Sequence, residues 1–386
     1  MKGHWRIVSV LVLGILLASC GTSGGGGTPT PSATPGQLTA NFRAVGQELE
    51  GTIQQLQQEF QGLLPQVGLS SQGLQPLVQK IDPLTYLQQP FPSFQSLLGN
   101  ILPQAYLRDL PRGQVQCPNG GSCTLAGSSD DLEIRYQKGS AWNKLLVDWN
   151  YSTKGAASPT VYLHQPYDQQ GQYLEEMPTK AFARLDLGEN GSNEGEATFQ
   201  AQWRSSTCLI GKYLFEPERL SLQGFINRPA GTGRLVDLQD LSLNTSATKL
   251  SFGWNLNLLT QGNDSALHTE GLLQVNGSST PGMCGSLLEK FNASSGEVDV
   301  KLDTQNHTAR LYFKITDVDE NTGVITIQSG YLTLDRQTVT FTGVLNDQNR
   351  NCVPGENLTL TFASGQTMSL EQYLIQHMEA STCNNR

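Results

Sequence analysis

The sequence predicts a mainly β protein: a large antiparallel sheet, as a curved half-barrel, a barrel or a sandwich, with an N-terminal helical segment and a C-terminal helix. Three observations carry this. From about residue 130 the apolar residues recur with period 2, as in Ala197–Trp203 and, over nine residues, Leu250–Leu258. Polar turn clusters such as Glu189–Asn193 and Asp319–Gly323 separate these stretches. Forty glycines in 386 residues, roughly 10% against an average of about 7%, imply many turns.

Alternation places one wet face and one buried face on each strand, which is the habit of antiparallel sheets. The same pattern appears at Leu132–Tyr136, Val147–Tyr151, Ala183–Leu187, Arg219–Phe225, Val298–Leu302, Arg310–Thr316, Val324–Leu334, Thr338–Val344 and Leu358–Phe362. Before residue 130 the period is helical. Leu38, Phe42, Val45, Leu49, Ile53, Leu56, Phe60, Leu63 and Leu64 form one stripe, opposed by a glutamine-rich face and stopped by Pro65. Arg43 is the stripe's only basic neighbour, so the helix suits a protein core or a partner helix better than a membrane surface. Shorter helical patterns follow at Gln72–Ile81 and Ser93–Leu102. The last helix starts at Ser369, with Gln372 completing a capping box, and carries Leu370, Tyr373, Leu374, His377 and Met378 on one face. A weak echo between Val147–Asn227 and Phe252–Asn346 suggests a duplication of about 130–245 and 249–365.

The N-terminus is an address. Lys2 and Arg6 precede an apolar run from Ile7 to Leu17, then Ala18, Ser19 and Cys20, the layout of a secretory signal peptide. Eleven helical residues span about 16 Å, too short for a bilayer core. Leu17-Ala18-Ser19-Cys20 resembles the lipobox of bacterial lipoproteins. That resemblance implies cleavage after residue 19, acylation of Cys20 and anchoring to the cell envelope. With Gly21 rather than Asp next, it implies the outer membrane where the cell has one. Residues 21–36 contain only Gly, Thr, Ser, Pro and Ala, a tether with a reach of about 20–25 Å. The chain thus divides into a leader (1–19), Cys20 and its tether (20–36), a helical segment (37–112) and a β domain with the C-terminal helix (113–386).

Six cysteines remain beyond Cys20, an even number in an exported chain, where disulfides persist. The tight turn between Cys117 and Cys123 favours their pairing. Cys352–Cys383 would clip the last helix to the sheet, leaving Cys208–Cys284. With no Cys-x-x-Cys and with His164, His268, His307 and His377 scattered, no metal site is expected, and no cofactor.

Composition narrows the partners. The net charge is −9, with no Lys/Arg-rich run, which argues against nucleic acid. Gly-x-Ser-x-Gly occurs only as Gly21–Gly25, in the tether, where no strand pattern precedes it, so no catalytic serine is expected. Asp130-Asp131 and Glu175-Glu176 are the carboxylate pairs a glycosidase would need. Asp317–Gly323 resembles a calcium loop, but Thr322 stands where that loop needs Gly, and strand patterns flank it, so a hairpin turn is expected. Trp149, Trp203 and Trp254 fall in register with the apolar side of their strands, as core residues do. The expectation is a membrane-anchored, non-enzymatic envelope lipoprotein with a structural or assembly-binding role. A carrier of lipid or another apolar ligand ranks second, and a carboxylate-based hydrolase third.

Overall fold

The first helix starts with a motif inside the proline- and threonine-rich stretch. The Gln37 amide donates to Thr34 Oγ1 (3.3 Å), and the Thr34 amide donates to Gln37 Oε1 (2.9 Å). This reciprocal capping box, with Pro35 in the first helical position, opens α1 (Pro35–Leu63). The computed structural model describes residues 29–63, 113–118, 123–129, 131–138, 140–148, 160–165, 173–178, 180–187, 192–204, 217–228, 233–259, 265–281, 287, 291–319, 322–380 and 382. The helical patterns at Gln72–Ile81 and Ser93–Leu102 lie outside them, as do the leader and Cys20.

The strands begin with β1 (Gly113–Cys117), β2 (Thr124–Gly127), β3 (Leu132–Lys138), β4 (Ala141–Asp148), β5 (Thr160–Gln165) and β6 (Tyr173–Pro178). There follow β7 (Lys180–Leu187), β8 (Ser192–Trp203), β9 (Pro217–Asn227), β10 (Arg234–Thr245), β11 (Lys249–Leu259) and β12 (Ser265–Ser279). The last six are β13 (Phe291–Thr304), β14 (Thr308–Asp319), β15 (Val324–Leu334), β16 (Gln337–Leu345), β17 (Asn357–Thr361) and β18 (Thr367–Ser369), before α2 (Leu370–His377). Sixteen of these strands form one sheet that does not close into a barrel, and β5–β6 make a separate hairpin. From β7 to β18 each strand lies beside its neighbours in the chain. The other end is less regular. β1 runs between β2 and β3 and is parallel to β3, so the sheet is mixed rather than purely antiparallel. The echo within the sequence does not occupy equivalent strands: Leu185 and Leu220 lie on β7 and β9, two strands apart, but Leu302 and Val339 lie on β13 and β16, three apart.

One face of the sheet receives both helices. Leu38 and Val45 of α1 are buried against Leu267, Val298, Val300, Leu302, Ala309, Leu311 and Phe313, with Phe42 and Leu49 beside them. Tyr373 of α2 joins the same core next to Phe362. Full burial of each such side chain contributes about 1.5–3 kcal/mol. Ring placement on this face depends on small partners. Trp254 lies across Gly271 on β12, where an added Cβ would approach the indole to 2.3 Å, and Phe341 covers Gly330 in the same way. Ser369 caps α2 through the expected box: the Gln372 amide donates to Ser369 Oγ (3.1 Å) and the Ser369 amide to Gln372 Oε1 (3.2 Å).

Residues 32–34, assigned to the tether by composition, belong to the fold. The Ser32 and Ala33 amides donate to the Thr338 carbonyl (2.8 and 3.0 Å), and the Ala363 amide donates to the Ala33 carbonyl (2.8 Å). Ala33 is 0% exposed. Composition marks a segment as unable to build a core, but it does not register backbone hydrogen bonds to an existing sheet end.

Candidate functional site

On the face away from the helices, β10–β16 carry a polar ladder. Asn255, Glu270, Lys301, Arg310 and Thr333 stand in direct register across five strands. Lys301 Nζ lies 3.2 Å from both Glu270 Oε1 and Asp303 Oδ2. Partial burial pushes the Lys301 pKa down, but the hydrogen bonds and charges of Asp303 and Glu270 outweigh it and hold the ammonium above its ordinary value. Arg310 grips Asp299 with two bonds of 2.9 and 2.8 Å, the bidentate geometry that suits a guanidinium. Its pKa rises chiefly through that hydrogen bond. In the next row Tyr312 and Tyr331 stack with centroids 5.4 Å apart, and Arg310 lies over the Tyr331 ring. Both phenols are shifted up, first by burial; nearby carboxylates add to this at Tyr312, and Arg310 opposes it at Tyr331.

A second polar cluster joins α1 to the hairpin turns. Glu48 Oε2 accepts from Thr304 Oγ1 (2.9 Å), and Glu48 Oε1 accepts from the Asn306 amide and side chain (3.2 and 3.0 Å). His307 Nδ1 lies 2.7 Å from Asp335 Oδ2, while Nε2 faces Glu48 at 3.7 Å. Its two nitrogens point to different carboxylates, so the three side chains do not converge on one point. His268 Nδ1 is 2.7 Å from Asn257 Oδ1, and Nε2 faces Glu270 at 3.8 Å. Each imidazole thus engages a carboxylate or an amide, and these contacts prepare no nucleophile. Among the described residues no group of three or more His, Cys, Asp or Glu could hold a metal ion.

The helix-facing side differs along its length. Its main core spans β12–β17, and a second lies at β1, β3 and β4 around Val115, Cys117, Leu132, Ile134 and Tyr136. Between them, Phe252 is 37% exposed, and Phe199, Leu220, Leu222, Leu241, Leu243 and Leu250 are only partly buried. Register sets Leu220, Leu243 and Phe252 on one row, continued by Leu273 on β12. An apolar pocket between β12 and β15, bordered by Val275, Val298, Phe313 and Ile325, has a volume of about 20 Å³, room for about one water.

The residues singled out from sequence fall as follows. Cys117 and Cys123 form a disulfide that closes the β1–β2 connection. Cys352 is also disulfide-bonded, while Cys383, Cys208 and Cys284 lie outside the described residues, as do Asp130, Trp149 and Tyr151. Glu175 and Glu176 fall on β6 and His164 on β5, in the separate hairpin. Asp317 and Asp319 belong to the end of β14, paired with Thr326 and Val324 of β15, and Thr322 Oγ1 donates to Asp319 Oδ2 at 2.7 Å. Trp254 faces the helix side and donates to Thr269 Oγ1 (3.0 Å). His377 stacks on Tyr373. Sequence reasoning missed the Glu48–His307–Asp335 cluster and the Lys301 ladder. An alternation of charges at Glu297, Asp299, Lys301 and Asp303 was the available signal for the ladder.

These features define a class by architecture: an open sixteen-stranded sheet with a helix laid on one face and a paired-charge ladder on the other. No family of known proteins, no curated protein and no solved structure matches the chain.

Proposed function

We propose that the chain is a lipoprotein anchored to the cell envelope through Cys20, with a structural or assembly-binding role rather than a catalytic one. The lipobox-like Leu17–Cys20 supports the anchor, and Gly21 supports the outer membrane where one exists. The binding role is supported by one observation, the apolar row of Leu220, Leu243 and Phe252 that continues beyond the α1-covered core with Phe252 37% exposed. Exposed apolar surface contiguous with a core suits a partner that completes it. The test is photo-crosslinking in cells from Phe252, with Lys314 on the opposite face as control. A discrete adduct from Phe252 and none from Lys314 is the expected result. Equal or absent crosslinking at both positions sinks the reading.

The same row favours carriage of an acyl chain or other apolar ligand as the second reading, lying across the strands along that row rather than in the small pocket. Residues 21–386, exported behind an ordinary secretory signal and purified without detergent, separate the two by native mass spectrometry. A stoichiometric mass excess that extracts as lipid places carriage first. A bare mass favours assembly binding.

A further inference from the structure

The junction at Ser32 and Ala33 fixes more than the start of a helix. Ser32 Oγ accepts from the Thr338 amide (2.9 Å) and donates to the Arg336 carbonyl (3.3 Å), so the chain is tied to the β15–β16 turn from both of its polar groups. Ala33 is tied to Ala363 on the neighbouring 363–365 turn and is fully buried. Asn41, two turns into α1, reaches back to Gln337 at 3.3 Å. Chain arriving from Cys20 therefore ends at one place on the surface, beside the exposed Arg336, Ser364, Gly365 and Gln366.

Ser32 lies twelve Cα–Cα steps along the chain from Cys20. A Gly/Ser/Thr/Pro segment of that length has a root-mean-square reach of about 17–21 Å and cannot exceed about 43 Å. Across the sheet, β16 and β2 are thirteen strand spacings apart, about 62 Å along the hydrogen-bonding direction. The net charge of −9 opposes contact of the whole body with an anionic bilayer, so a flat posture on the surface is disfavoured.

We propose that the β15–β16 turn and the 363–365 turn form the membrane-facing pole of the protein, and that the β1–β2 edge with its disulfide faces away from the bilayer. This rests on the reading of Cys20 as the anchor. The partner is the lipid surface that carries the acyl chains, and the contact is set by tether length rather than by a charged patch. The partly exposed row of Leu220, Leu243 and Phe252 then stands several strands above the surface, open to partners approaching from the side.

The test uses the full lipidated chain in vesicles containing phosphatidylglycerol and an acceptor-labelled headgroup lipid. A fluorescent unnatural amino acid is placed at Ser364 in one sample and at Leu125, 59% exposed on β2, in another. Energy transfer to the headgroups is expected to be about twofold or more greater from Ser364. Inserting twelve Gly/Ser residues after Gly21, a change outside the folded body, is expected to lower the transfer from Ser364. Equal transfer from the two positions, greater transfer from Leu125, or no response to the insertion overturns the proposed pole. Intact mass distinguishes the deeper failure: a Cys20 without a diacylglyceryl group, on protein that does not sediment with vesicles, overturns the anchor and the pole with it.

Discussion

Thr39 Oγ1 and Tyr373 Oη lie 3.0 Å apart, one on the first helix and one on the last, 334 residues away in sequence. Thr39 Oγ1 also reaches the Pro35 carbonyl (2.9 Å), so the pair fits Thr39 donating within its own helix and accepting from the phenol. Both side chains are buried. Tyr373→Phe keeps the ring against Phe362 but removes this bond, and should destabilise the protein by about 1 kcal/mol. Tyr373→Ala, which also leaves a cavity, should cost about 3–5 kcal/mol. Urea titrations of the two variants check both the order and the gap.

Burial pushes Tyr373 up to about 12, with the Thr39 bond opposing the shift, and burial alone pushes Tyr136 up to about 12. In the unfolded chain both ionise near 10. Above pH 10 the unfolded state therefore binds fewer protons than the folded one, and stability falls as the pH rises towards 12. Below pH 10 this contribution is fully present. The loss should be on the order of 1–2 kcal/mol for each phenol. Tyr373→Phe should flatten part of the alkaline limb in urea midpoints measured from pH 9 to 12.

Gly271→Val should be among the costly single changes in the sheet. Its Cβ would meet the Trp254 ring at 2.3 Å, so the indole must swing off β12 and lose its bond to Thr269. We expect a loss of about 2–3 kcal/mol with a red shift in tryptophan emission. An unchanged spectrum and melting temperature would refute this account of the packing.

The β15–β16 turn is built from two non-glycine residues in left-handed conformations, Asp335 (φ 47°) and Arg336 (φ 68°). Asp335 has a reason to be there, since its carboxylate accepts from the Thr308 amide (2.8 Å) and meets His307. The Arg336 side chain is exposed. Arg336→Gly should relieve strain and stabilise by about 1 kcal/mol, as a rise in melting temperature. Asp335→Gly should not.

Glu48→Ala removes the acceptor for Thr304 and for both Asn306 donors, and so frees the middle of α1 from the β13–β14 turn. A loss of about 2–3 kcal/mol is expected. Hydrogen exchange should quicken in α1 and at Thr304–Thr308 while β7–β9 stay unchanged.

The strands that sequence alone identified are those whose helix-facing side is apolar without interruption, such as β11, β13 and β14. β10 and β12 escaped for identifiable reasons. In β10 a bulge between Leu238 and Asp240 shifts the phase of alternation, so that no single period runs through Arg234–Thr245. In β12 the helix-facing positions include Thr269 and Gly271, while Leu272 points the other way and is 41% exposed. The apolar cover at Gly271 is supplied by Trp254 from the next strand, which no local pattern records. The parallel pairing of β1 with β3 is equally invisible, because hydrophobic alternation reports a face and not a direction. The capping box at Thr34 and Gln37 was legible in principle; the surrounding Pro/Thr composition masked it. Of the polar features, charge alternation along β13 marks a wet face. The meeting of Glu48 with Thr304 and Asn306, by contrast, depends on where α1 lies across the sheet.

The placement of α1 also bears on how such a chain is made. From β7 onward each strand can close on the one before it, a sequence of local steps that favours rapid assembly. α1 is the exception, because its main contacts are with β12, β13, β15 and α2, and the earliest of these, β12, begins only at Ser265. Leu38, Phe42, Val45 and Leu49 are synthesised first and find their partners more than 200 residues later. At about 5–20 residues per second, that interval lasts roughly 10–45 s. Throughout it the helix carries a bare apolar stripe, which a holding chaperone can shield and which a neighbouring chain can capture. Aggregation during biogenesis should therefore be governed by the first helix more than by the final stability of the sheet.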